Sequence, residues 1–125
     1  MSSISLENLT NKFPEKVPLL RRMNQFLNAQ EAAQSATNRR KYFSVNRIFD
    51  EVHPSSNDEL AEILASLVEI GVLEKILRVE SPGHGGIKDY TSLASIPSVI
   101  YDENTERNID VTLDNIKLLF CIRNS

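Results

Sequence analysis

The stretch from Ser44 to Leu73 constrains the fold more tightly than any other part of the chain. Val45, Ile48, Phe49 and Val52 recur at i, i+3, i+4 and i+7, one apolar stripe on a short helix that Ser44 is placed to cap. His53-Pro54 ends that helix, because the residue before a proline avoids the helical region. Ser56 and Glu59 then have the spacing of a capping box, and Asp58 and Glu59 suit the positive end of a helix dipole. Leu60, Ile63, Leu64, Leu67 and Val68 supply the buried face of this next helix, and Gly71 is placed to end it in a left-handed conformation.

The segments on either side extend the pattern. Residues 1–16 read as a polar, partly ordered arm. From Pro18 a longer helix is expected, with the proline in its first turn, where a missing N–H costs nothing. Leu20, Met23, Phe26, Leu27 and Gln30 carry its spacing, and Ala29, Ala32, Ala33 and Ala36 continue it to a break at Thr37-Asn38. Beyond Gly71 the pattern turns to strands. Val72 to Val79 leads into the loop Ser81-Pro82-Gly83-His84-Gly85-Gly86, and Asp89 to Leu93 returns. Ser98 to Tyr101 and Asn108 to Thr112 flank a polar turn, and Ile116 to Ile122 is the last strand. Three helices followed by short strands make this an α+β chain.

At 125 residues, 41% apolar and 25% charged, the chain suits one modest core with a small appendage. Its longest apolar runs, 70–73 and 118–122, are far too short to span a bilayer. Met1-Ser2-Ser3-Ile4 does not have the basic start of a secretion signal, so a cytoplasmic protein is expected. Cys121 is the only cysteine and lies in an apolar segment, which fits a buried structural thiol. The net charge of −3 hides a division along the chain: residues 1–48 hold eight basic against three acidic residues, and 49–125 six against fourteen. Opposite potentials of this kind favour a protein partner or self-association over uniform nucleic-acid binding.

Helix, short helix, capped helix, glycine stop and β-hairpin is the order of a winged helix-turn-helix domain, and Ser44 to Leu93 resembles that family. The residues that carry the resemblance are the turn His53-Pro54-Ser55-Ser56 and the phrase Leu67-Val68-Glu69-Ile70-Gly71-Val72-Leu73-Glu74-Lys75. It implies a winged helix (three helices plus a β-wing) over 17–93, preceded by the arm 1–16 and followed by a small β-rich appendage, 94–125. Residues 79–122 further resemble the zinc ribbon that follows some bacterial winged-helix domains, with Ser81-Pro82-Gly83-His84-Gly85 and Tyr101-Asp102-Glu103-Asn104-Thr105 in place of the two metal knuckles. Of the positions that would hold zinc (Ser81, His84, Tyr101 and Asn104), only His84 is a good ligand, and a structural zinc needs four. A metal-free ribbon without a cofactor is therefore expected.

The same resemblance places the third helix where DNA readers insert side chains into the major groove. Its expected outward positions are Asn57, Asp58, Glu59, Glu62, Ser66 and Glu69, and no Arg or Lys lies between residues 48 and 74. Four carboxylates repel phosphates, so Asp58, Glu59, Glu62, Ser66 and Glu69 are expected to meet a basic protein surface instead, unless they form a merely solvated face. The alternative is a DNA-binding regulator that uses Arg39, Arg40 and Lys41 beside Tyr42, with Lys88 on the wing. Catalysis finds little support. The glycine-rich loop lacks the Lys-Ser/Thr ending of a phosphate loop, and two histidines with one cysteine make no nucleophilic or metal centre. The expectation is a non-catalytic adaptor or accessory subunit, which the resemblance links to bacterial assemblies such as phage defence. It would have a protein partner, a second copy joined through the alanine-rich helix, and neither membrane nor small-molecule substrate.

Overall fold

The computed structural model describes residues 6–123. The chain forms α1 (Glu7–Lys12), α2 (Val17–Thr37), β1 (Tyr42–Ser44), α3 (Val45–Val52), α4 (Asn57–Glu69), β2 (Leu73–Ser81), β3 (Gly85–Tyr90), β4 (Val99–Asp102), β5 (Arg107–Asp110) and β6 (Ile116–Ile122). It is a mixed α+β fold that divides into two compact units. The first comprises residues 1–74 with 121–125, the second 75–120, and strands β2 and β6 run through both. The division falls at Glu74/Lys75, not at 93/94, so the glycine-rich hairpin is grouped with the segment that follows it.

In the first unit the apolar stripes settle the packing. Leu19, Leu20, Met23, Phe26 and Leu27 of α2 are buried, as are Ile48 and Val52 of α3 and Leu60, Ile63, Leu64 and Leu67 of α4. Phe43 of β1 is 1% exposed and meets Phe26 edge to face, with ring centroids 5.3 Å apart. The N-terminal arm forms α1 over its described part. Leu6, Leu9 and Phe13 are buried, while Met1–Ser5 lie outside the described residues. Three apolar residues spaced at three and four close the core from the N-terminal side, a signal too short to stand out among polar neighbours.

Caps form where the side chains call for them. Ser44 Oγ accepts from Arg47 N–H at 3.2 Å and Ser56 Oγ from Glu59 N–H at 3.1 Å. Glu59 reaches back to Ser55 N–H at 3.0 Å, one residue earlier than a strict capping box. Arg22 of α2 donates from Nε to the carbonyl of Val52 at 2.6 Å, satisfying the last turn of α3 where His53 turns left-handed. Gly71 takes a φ of +84°, which releases the chain from α4 into β2. Here β1, β6 and β2 lie in that order, and Arg123 N–H donates to Val72 O at 3.0 Å.

In the second unit the strand order is β6, β2, β3, and β4 with β5 forms a separate two-stranded sheet. β2 and β3 pair antiparallel from Leu77↔Tyr90 to Ser81↔Gly85, with a bulge between Val79 and Glu80. The return strand thus begins at Gly85, ahead of the expected Asp89, because both flanking glycines accept a positive φ and close the turn within the loop.

Candidate functional site

Three surfaces contain the residues singled out from the sequence, two in the first unit and one in the second. On α4, Asp58, Ala61, Glu62, Ala65 and Glu69 are all exposed, and their spacing places them along one helical stripe. Two small alanines between carboxylates make it a flat acidic strip open to close approach. Sequence reasoning missed these alanines, since Ala carries no chemical signal. Ser66 does not belong to this face, contrary to expectation. It is 4% exposed, because it lies on the inward side with Ile63 and Leu67.

Glu59 is also mostly withdrawn from the strip. Its carboxylate caps α4, and Lys16 Nζ lies 3.7 Å from it and 3.6 Å from Glu62. Lys16 belongs to the short turn Pro14–Lys16, far away in sequence, which is why no cation was expected near α4. Asp58 and Glu69 enter no ion pair among the described residues. The division of charge along the chain does not separate the units either. Nine basic and ten acidic residues fall in the first, five and seven in the second.

The basic run lies at the other end of α2. Asn38 adopts the left-handed conformation that stops the helix, and Gln34 Oε1 accepts from the backbone N–H of Lys41 at 3.0 Å. Gln34, Ser35, Asn38, Arg39 and Arg40 line a polar cavity of about 210 Å³. Arg40 is committed to Glu74, 2.8 Å away, which removes one of the three cations from the candidate phosphate contact. Lys88, in the second unit, is exposed and lies 5.4 Å from the ring centre of Tyr90. Ala29, Ala32 and Ala36 of α2 are exposed and Ala33 half-buried.

The third surface surrounds a buried carboxylate. From Pro82 to Leu118, Asp102 is the one residue that is buried. The Ser81 hydroxyl, itself 3% exposed, donates to Asp102 Oδ2. Thr105 Oγ donates to the same oxygen at 2.9 Å, and Asn104 N–H to Oδ1 at 3.0 Å. The hydrogen bond from Ser81 holds this carboxyl below the ordinary aspartate range; burial opposes the shift, and Thr105 and Asn104 add to it. Segments 81–85 and 101–105 are thus fastened by a carboxylate–hydroxyl contact. In the sequence Asp102 lies within the segment Tyr101-Asp102-Glu103-Asn104-Thr105 with no role of its own; its neighbours Asn104 and Thr105 are the available signal, since Asp-x-Asn-Thr suits an Asx turn. His84 is exposed, and no cluster of three His, Cys, Asp or Glu residues that could hold a metal occurs among the described residues. No helix in the described residues is long and apolar enough to cross a membrane.

Comparison with protein-family models, curated proteins and solved structures found no match to this chain.

Proposed function

We propose that this chain is a winged-helix protein-interaction module that acts by binding, with the acidic strip of α4 as its docking face. The order of elements supports the fold reading. α2, β1, α3 and α4 are followed by β2, and β6 lies between β1 and β2. In a winged helix the strand after the wing takes that middle place, so residues 75–120 correspond to an enlarged wing tip. β6, and not the strand that follows the glycine-rich loop, is the wing's return strand.

The observation that carries the function is the exposed line Asp58, Glu62 and Glu69, on the helix that would otherwise read bases. Carboxylates there repel the phosphate backbone and attract a basic protein surface, as in the adaptor or accessory subunit of a larger assembly. The alanine-rich end of α2 is the surface that a second copy would use.

The test pairs DNA retardation with partner capture. Wild-type protein should not retard duplex DNA at physiological salt. It should capture a specific protein that Glu62→Lys with Glu69→Lys releases. Retardation that weakens steeply with salt, and disappears when Arg39, Arg40 and Lys41 become Ala, would replace this reading with a DNA-binding regulator.

A further inference from the structure

Exposed large apolar side chains gather in the second unit. Leu93, Val99, Tyr101, Leu113 and Leu118 lie there, at 59%, 47%, 55%, 77% and 38% exposure, whereas the first unit contributes Ile70. Val99 and Tyr101 alternate on β4 and so share one face of the hairpin, opposite Asp110 and Asn108 of β5. A short 3-10 turn stands on each side of this hairpin, Leu93–Ser95 before it and Leu113–Asn115 after it. Each turn begins with an exposed leucine directly after a Ser or Thr.

Side-chain hydrogen bonds fasten both turns. Ser95 Oγ donates to Ser92 O at 2.8 Å in the first. In the second, Asn115 Oδ1 accepts from both the N–H and the hydroxyl of Thr112 at 3.1 Å. Val111 N–H donates to Ser98 O at 2.8 Å, which carries the pairing past the ends of β4 and β5. Both turns therefore leave from the open end of the hairpin. Four large apolar groups exposed within residues 93–113, two of them on one face of β4, suit an interaction surface.

Charge selects the partner. Between residues 91 and 118, Glu103, Glu106, Asp110 and Asp114 are exposed carboxylates, against the two cations Arg107 and Lys117. Such a surface repels nucleic-acid phosphates and anionic lipid headgroups alike. We infer that the β4–β5 hairpin with its two leucine turns docks a protein segment whose apolar side chains are interspersed with lysine or arginine. The apolar groups meet Val99, Tyr101 and the two leucines, and the cations meet Asp110 and Asp114. This surface lies on the other unit from α4 and does not depend on the reading of that helix.

The test uses the full, isotope-labelled chain with a synthetic peptide that alternates leucine and lysine, and a second peptide with glutamate in place of lysine. The expected result is amide shift changes confined to residues 92–114 with the lysine peptide alone. Affinity should fall roughly tenfold or more for Leu113→Ser, Tyr101→Ser or Asp110→Lys, and stay unchanged for Asp50→Lys on α3. Shifts on α4 instead, equal binding of both peptides, or preference for phosphatidylserine vesicles or duplex DNA would overturn the inference. So would concentration-dependent broadening of the same amides without peptide, which would assign the surface to a second copy of the chain. Mapping on the wild-type chain decides the matter even where a variant fails to fold.

Discussion

Residues of the helical unit and of the hairpin unit are held in place by different forces. Among the described residues the first unit buries eighteen apolar side chains, from Leu6 to Leu73 with Cys121 and Ile122. The second buries five, all of them on β2 and β6 (Ile76, Leu77, Val79, Leu119 and Phe120). The stretch between those strands gains little from the hydrophobic effect and relies on hydrogen bonds converging on Asp102. The first region is therefore most sensitive to lost volume in its core, and the second to loss of the hydrogen bonds on Asp102.

The largest test of that contrast is Phe43→Ala, which empties the contact with Phe26. It should cost about 3–5 kcal/mol in denaturant unfolding, with loss of protection across α2. Arg22→Ala comes next, at about 1–2 kcal/mol, since it leaves the Val52 carbonyl without its charged donor; thermal unfolding checks it.

Asp102→Ala acts locally. Hydrogen exchange should accelerate in β4 and β5 while the amides of α2 stay protected. The same carboxylate sets a pH dependence. Its folded pKa lies below the unfolded value of about 3.9, so folding favours the charged form. The contribution is complete at neutral pH, declines as pH falls below that value, and is gone below the lowered folded pKa. Exchange of the hairpin amides measured down this range should show protection lost on acidification in wild type and no such step in Asp102→Asn. The smallest effect is that of Leu113→Ser, within about 0.5 kcal/mol by thermal unfolding, because an exposed leucine contributes little to the fold. A large loss there would show that the hairpin unit relies on apolar contact after all.

The helical unit was legible because each of its signals is local and redundant. Ser44, Ser56 and Gly71 mark ends, and the stripes between them name the buried faces, so α2, α3, α4 and β6 lie where their spacing puts them. The three-residue strand β1 was not legible, because Tyr42-Phe43-Ser44 is too short to establish a period. The acidic strip was visible in outline. Its corrections came from partners remote in sequence, Lys16 above Glu59 and Glu62 and the core around Ser66. The role of Asp102 was hidden for the same reason, since Ser81 approaches it from another strand. Leu93 ends an expected strand and Leu113 lies between two, and at such places nothing in the sequence distinguishes an exposed leucine from a buried one.

The middle position of β6 also governs how the molecule can assemble. Val72 cannot meet Arg123 until the 50 intervening residues have been brought round. If those residues were still slack, closing them in place of a tight turn would cost about 2 kcal/mol of chain entropy. Early pairing of β2 with β3 and of β4 with β5 shortens the effective tether. Damage to the Ser81–Asp102 fastening should therefore slow completion of the helical core in refolding experiments, although it lies outside that core.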